Sequence, residues 1–230
     1  YFQILKTNNY ELKTIYMMSL GEKLLLTPII KLYSLFPIPY SRIVWIEHAR
    51  IGKWLTSNPW KIVYKFWSRF VKIICVSKQS TKYLSWAHNV IDIPNGINLK
   101  EFNSPQPLSS KKKGRFKIAT IARLSEDKGI DYLIKAVSNI KNCELLIIVE
   151  GPLSNSPMIR GARGVVCLGK ISRSEIIEFY KKINLLVLPS SEHDPFGLVV
   201  AEAMASKVPT VVTDVCGISD YLKDFEDTRI

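Results

Sequence analysis

The stretch NLLVLPSSEHDPFGLVVAEAMASKVPTVVTD, residues 184–214, holds three elements in succession. NLLVLPS (184–190) is a continuous apolar run stopped by Pro189, the pattern of a strand buried on both faces. Residues 197–206 follow as a short apolar helix, and PTVVTD (209–214) is a second strand. Strand, helix and strand in this order form one repeat of a parallel sheet covered by helices. The loop SSEHDPF is thereby carried to the carboxyl edge of the sheet, where open α/β folds bind their ligands. Glu202 stands near the middle of the apolar helix and Asp194 on the loop before it. A buried carboxylate without a partner is costly. Because Val199, Val200, Ala203 and Met204 surround Glu202, the sequence predicts few protein partners for it and a waiting ligand.

The alternation continues upstream. FKIATIA (116–122), CELLIIVEG (143–151) and GVVCLG (164–169) read as strands, and GIDYLIKAVSNI (129–140) as a helix. SRSEIIEFYKKI (172–183) reads as a helix opened by a capping box of Ser172 and Glu175. Residues 113–230 are therefore expected to form a doubly wound α/β domain. In residues 1–112 the strand candidates are ELKTIYM (11–17), RIVWIEH (42–48), VKIICVS (71–77) and NVIDIPNGI (89–97), with KQSTKYLSWA as a helix after the third. They predict a second α/β domain, incomplete because no opening strand with a glycine-rich turn precedes them. The polar run SSKKKG (109–114) is the expected linker. YFQILKTN at the start reads as helix-like, and both ends read as cut, so the chain is expected to be a piece of a longer protein. The apolar run KLLLTPIIKLYSLFPIP (23–39) is interrupted by Lys31 and by prolines and is not a membrane-spanning pattern.

With 47% hydrophobic and 23% charged residues, the 230-residue chain has ordinary globular composition. Its net charge of +12 is uneven. Residues 1–112 hold 16 basic and 5 acidic side chains, a balance of +11, whereas residues 113–230 hold 16 and 15, a balance of +1. The first half therefore calls for an acidic partner: nucleic acid, an anionic membrane or a phosphorylated substrate. The sequence shows no RNP, helix-turn-helix or finger signature, so no nucleic-acid partner is expected. NPWKIVYKFWSRFVK (58–72) spaces Lys61, Lys65, Arg69 and Lys72 at helical steps among aromatic residues, the pattern either of a helix lying on an anionic membrane or of an ordinary surface helix with a solvated basic stripe. Cys75, Cys143, Cys167 and Cys216 are scattered, and three lie in strand-like runs. This argues for reduced, buried thiols in a cytosol rather than a disulfide framework or a zinc site.

Arg123 and Lys128, in IARLSEDKG, follow the first strand of the second domain, and Gly129 opens the next helix. Two cations beside a helix N-terminus make either a site for a diphosphate, each charge-assisted hydrogen bond contributing ~1.5–3 kcal/mol, or a pair of solvated surface cations beside Glu126 and Asp127. The N–H groups of the helix starting near Gly197 point at the same loop mouth and can donate to phosphate oxygens. Glu202 can accept hydrogen bonds from the hydroxyls of a ribose, and Asp194 from those of a sugar or from the helix N-terminus it would cap. His48 closes the strand RIVWIEH, where it faces either a cleft or, as a structural histidine, the core, with Glu47 on the opposite face by strand alternation. His88 and His193 have less context.

ARLSEDKG, VVCLGKISRSEIIEFYKKINLLVLPS and DPFGLVVAEAMASKVPTVVTD, in that order, resemble the retaining glycosyltransferases of family 4, which have the GT-B fold. IICVSKQSTKYL and IDIPNGIN resemble the end of that family's first domain, so the resemblance covers residues 70–222. It implies two Rossmann-like doubly wound domains, the first incomplete here, with an acceptor-binding first domain and a nucleotide-sugar-binding second. Arg123 and Lys128 would hold the donor diphosphate. Asp194 and Glu202 take the places of the family's paired glutamates, Asp194 for the donor sugar and Glu202 for the ribose. The backbone at Phe196, Gly197 and Leu198 would complete the pocket, and His48 resembles the histidine that contacts the transferred sugar. Two departures stand out: the first acid is one methylene shorter, with Glu192 as the alternative, and the familiar Gly-Gly-x-Pro-Glu run reads Cys216-Gly217-Ile218-Ser219-Asp220.

The resemblance implies transfer of a sugar from a nucleotide-diphosphate donor to a glycan, lipid-linked or phosphorylated acceptor, with retention, in polysaccharide or glycolipid biosynthesis. It implies no metal and no other cofactor. The expected setting is the cytoplasm, peripheral at the inner membrane face. The alternatives are a truncated, non-catalytic nucleotide- or membrane-binding paralogue and a sugar-nucleotide epimerase of the same fold.

Overall fold

A computed structural model of the chain describes residues 3–5, 14–33, 42–52, 55, 57, 59–102, 114–150 and 164–223. The chain divides into two compact units, Tyr1–Asn95 and Gly96–Ile230. The division falls ahead of the polar run 109–114, which apart from Gly114 lies outside the described residues. Helix α4 (Leu99–Phe102; the helices before it are given below) packs against the second unit, which explains why the boundary falls before it.

The first unit is a five-stranded sheet in sequence order: β1 (Gln3–Leu5), β2 (Thr14–Met17), β3 (Arg42–Glu47), β4 (Lys72–Cys75) and β5 (Val90–Asp92). β1 runs antiparallel to β2, and the remaining pairs are parallel. Gln3–Leu5 is thus a strand, correcting the helix-like reading of the first residues: pairing with β2 overrides local pattern in so short a segment. Helix α1 (Leu20–Tyr33) joins β2 to β3, α2 (Trp60–Ser68) joins β3 to β4, and α3 (Lys78–Tyr83) joins β4 to β5. Successive right-handed crossovers in one direction place such helices on one face of the sheet. Thr27 of α1 and Tyr64 of α2 indeed both meet Trp45 of β3, the first by a 3.1 Å hydrogen bond from the indole, the second edge-on at 4.7 Å between ring centroids. Met17, Trp45, Tyr64 and Ile73 are fully buried there.

α1 is apolar on two sides, unlike an ordinary surface helix. Lys23 and Thr27 are buried on its inward side among Leu20, Leu24, Leu26 and Ile30, which pack on the core, whereas Leu25 (70% exposed), Ile29 and Leu32 form an outward stripe. α1 and α2 are neighbours, and α2 also exposes Ile62 (62%), Phe66 and, just past its end, Phe70, beside the exposed cations Lys65 and Arg69.

The second unit is a fully parallel sheet of β6 (Phe116–Arg123), β7 (Cys143–Glu150), β8 (Val165–Gly169), β9 (Leu185–Leu188) and β10 (Thr210–Val212). Its spatial order is β10-β9-β6-β7-β8, with β6 pairing β7 from Phe116↔Cys143 to Arg123↔Glu150. Renumbered within the unit this is 3-2-1-4-5, the first five strands of the classic doubly wound order, with its switch point between β6 and β9. The helices are α5 (Ile130–Ser138), α6 (Arg173–Tyr180), α7 (Leu198–Ala205) and α8 (Ser219–Leu222). Ile130, Leu133, Ile134 and Val137 of α5 pack on Ile118, Leu145 and Ile147 of the sheet. The expected capping box is present: Glu175 N–H donates to Ser172 Oγ, and Ser172 N–H donates to Glu175 Oε2 at 2.7 Å. All four cysteines are free thiols.

Candidate functional site

The site is built where β6 and β9 end, on either side of the switch point. After β6 the chain makes a 3₁₀ turn (Glu126–Lys128) and reverses at Gly129, which has φ +60°. A Cβ at Gly129 would lie 2.1 Å from the carbonyl oxygen of Pro189, just past β9, so only glycine lets the two loops touch. The contact is fastened by Ser191 N–H, which donates to the Asp127 carbonyl at 3.0 Å. It is also fastened by Ser191 Oγ, which donates to the Glu126 carbonyl at 3.0 Å. The result is that Lys128 turns inward. It is 8% exposed, and its ammonium lies 2.6 Å from Asp194 Oδ2.

Asp194 is held from three sides. Ser190 Oγ donates to Oδ2 and Phe196 N–H to Oδ1, each at 3.4 Å. Its own N–H and carbonyl bond Val215 and Gly217, and Ile218 N–H donates to the Phe196 carbonyl at 2.8 Å. The Cys216–Asp220 run therefore lies as a short ladder along the Asp194–Phe196 loop. Phe196 is buried, Gly197 (φ +91°) turns the chain into α7, and Leu198 is exposed at its first position. His193 is buried, and Glu192 is exposed.

Glu202 differs from expectation. It is 6% exposed and does have protein partners: the Tyr180 hydroxyl donates to Oε2 at 2.9 Å, and the Arg173 guanidinium donates to Oε1. Arg173 is itself half exposed, reaches Glu101 at 3.5 Å and lies 4.9 Å over the Phe102 ring. Burial, and then the negative charge of Glu202, push the Tyr180 hydroxyl well above its usual pKa. The isolated reading of α7 missed these partners because both lie on α6. Residues seven apart on a helix share a face, so Arg173 and Tyr180 were a legible pair once α6 was recognised.

The structure thus brings Lys128 to Asp194, with Phe196 and Gly197 beside them, and gives Glu202 a separate pair of partners. Arg123, the last residue of β6, is exposed and makes none of these bonds. His48 belongs to the first unit. It is exposed just past β3, at a cavity of about 420 Å³ that Lys23 and Glu47 also line. Among the described residues no group of metal-ligating side chains is assembled.

A fully parallel sheet with this strand order makes the second unit a Rossmann-like α/β unit, with a buried cation–carboxylate pair and a helix N-terminus at its switch point. Residues 106–230 match the family described as glycosyl transferases group 1, and the chain belongs to that family. It is 35% identical over 150 residues to an uncharacterized glycosyltransferase of Methanocaldococcus jannaschii, an alignment covering 57% of this chain and 38% of the relative. It is 24% identical over 194 residues to the phosphatidyl-myo-inositol mannosyltransferase of Mycobacterium leprae, covering 80% and 52%. The chain therefore spans about two fifths to one half of these relatives. Among solved structures, Anabaena HepE in complex with UDP superposes with a TM-score of 0.72 at 20% identity, over 92% of this chain and 62% of that one. The sucrose-phosphate synthase of Thermosynechococcus elongatus gives 0.69 at 21%, over 90% and 57%. At these identities the two structures speak for the fold.

Proposed function

We propose that the protein transfers a sugar from a nucleotide-diphosphate donor to a hydroxyl of a glycan, lipid-linked or phosphorylated acceptor, with retention of anomeric configuration as in glycosyltransferase family 4. The observation that carries this reading is the buried Lys128–Asp194 pair at the switch point. Removing two charges from water is costly, and such placements concentrate at functional sites. Lys128 has further N–H donors for a phosphate, and Asp194 further lone pairs for sugar hydroxyls. Glu202 would receive the ribose by exchanging its half-exposed partner Arg173 for hydroxyl groups while Tyr180 keeps its other oxygen in place. HepE's complexes with UDP and UDP-glucose support a donor of this chemistry, and the lipid named in the mycobacterial enzymes supports a lipid-linked acceptor.

In the reaction the anomeric C–O bond breaks, its electron pair leaves with the diphosphate, and the acceptor oxygen forms the new bond. Negative charge grows on the leaving group. Lys128, Arg123 and the N–H groups at Gly197 and Leu198 supply fixed positive ends for it, an electrostatic role, so the reading assigns that task to the protein rather than to a metal ion. No residue is assigned as a base. His48 is the candidate for assisting at the transferred sugar.

The setting in this reading is cytoplasmic and peripheral, at an anionic membrane. The two neighbouring helices with apolar outward stripes and interspersed cations support it. Among the described residues no helix is long and apolar enough to cross a membrane.

The test is a thermal-shift screen of UDP, GDP and ADP, because a ligand that binds only the native state raises the melting temperature. One nucleotide diphosphate is expected to stabilise the protein. Lys128→Ala is expected to weaken it at least tenfold, for the loss of ~1.5–3 kcal/mol. Near-normal affinity in a variant that still melts cooperatively would remove the site.

A further inference from the structure

Arg173 sits between two carboxylates that belong to different helices. Through Nη1 it donates to Glu202 Oε1 on α7, and through Nη2 to Glu101 Oε2 on α4 at 3.5 Å. Its guanidinium also lies over the ring of Phe102, the last residue of α4. The two acids differ in kind: Glu202 is buried, whereas the side chain of Glu101 is 43% exposed. Glu101 is nonetheless held in place. Asn98 Nδ2 donates to its Oε1 at 3.0 Å, and Oε2 is the oxygen that meets Arg173.

A buried carboxylate without a partner is costly, and Arg173 gives Glu202 the positive charge that the neutral Tyr180 hydroxyl does not. A ribose that donates its hydroxyls to Glu202 Oε1 takes the place of Arg173 Nη1. The Arg173 side chain is 52% exposed, so the guanidinium has room to withdraw. Among the described residues Glu101 is then its remaining acidic partner, already facing its other nitrogen. The Phe102 ring keeps the cation beside α4 as it shifts. We propose that Arg173 passes from Glu202 to Glu101 when the donor binds, which makes Glu101 a positioning residue for a donor it does not touch. A helix of four residues has little stability of its own. α4 is held by Phe102, 1% exposed and 6.3 Å from the Tyr180 ring between centroids, and by Arg173. Donor binding therefore tightens the hold on α4, the first helix of the second unit. The inference rests on the reading of Glu202 as the carboxylate for the ribose.

The experiment is a calorimetric titration of the full chain with UDP, GDP and ADP, and then with the 2′,3′-dideoxy form of the one that binds. Glu101→Gln changes an exposed side chain, so folding is not at stake. It is expected to weaken the intact nucleotide about two- to fivefold, the worth of one exposed ion pair. It is expected to leave the dideoxy form unchanged, because without ribose hydroxyls Arg173 stays on Glu202. In an Arg173→Met background Glu101→Gln is expected to have no further effect, since the residue that links the two is gone. Hydrogen exchange is the second measurement: the amides of residues 99–102 are expected to slow a few-fold with the intact nucleotide and not with the dideoxy form. Equal affinity of the wild type and Glu101→Gln for the intact nucleotide, equal losses for both nucleotides, or no slowing at α4 overturns the proposal. The two readings fail separately. Nucleotide binding that ignores Glu101→Gln defeats this inference alone, whereas a wild type that binds none of the three nucleotides defeats the donor reading and this inference with it.

Discussion

Glu47 and Glu202 are handled alike. Each is a buried glutamate that accepts from a buried tyrosine hydroxyl and pairs with one cation, Lys23 for Glu47 and Arg173 for Glu202. In both cases burial first, and the carboxylate second, raise the tyrosine well above its ordinary value, and burial lowers Lys23. Burial likewise pushes the Cys75 thiol, near Glu47, up to about 12. The sign for stability follows directly. In the unfolded chain these tyrosines release their protons near pH 10, whereas in the fold they keep them. Their contribution is therefore intact below about pH 10 and is lost as pH rises beyond it. Of the ten tyrosines, Tyr64 and Tyr180 are expected to ionise together with unfolding. Tyrosinate absorbance followed beside far-ultraviolet circular dichroism checks this. Complete ionisation while the helical signal persists would contradict it.

At the scale of elements, the donor site depends on two loops meeting at Gly129. An alanine there meets the Pro189 carbonyl and must also hold φ +60°. Gly129→Ala is expected to cost about 3 kcal/mol or more, read as a lowered urea midpoint. An unchanged midpoint would mean that the loops do not make this contact in solution. The strands of the second unit, the capping box at Ser172 and the helices over 129–140 and 197–206 were legible because apolar runs, helical spacing and cap residues are local signals. Helix α1 was not. Pro28 lies inside it, where a proline removes one backbone hydrogen bond. It is apolar outward as well as toward the core, and the buried Lys23 and Thr27 make sense only beside Glu47 and Trp45, about twenty residues away.

At the scale of the whole molecule, residues 1–95 hold 13 basic and 4 acidic side chains, a balance of +9, in the unit whose helices expose Leu25, Ile29, Ile62 and Phe66. Interfacial binding strengthens with buried apolar area and with attraction to anionic lipid. The protein is expected to cosediment with phosphatidylglycerol vesicles, to release as salt rises, and to ignore phosphatidylcholine. Replacing Ile62 and Phe66 by serine should abolish the binding. Binding indifferent to both lipid charge and ionic strength would assign this face another task.

The sequence by itself determined the alternation of strands and helices, the parallel sheet of the second unit and the placement of Lys128, Asp194 and Glu202 along it. Those follow from periodicity and from which strand end each residue occupies. Only the tertiary structure decided that Lys128 pairs with Asp194, that Arg173 and Tyr180 hold Glu202, and that α1 turns Lys23 toward Glu47. The pattern of a segment tells which residues share a face. What that face meets depends on chain folded back from far away, and no local pattern carries that information.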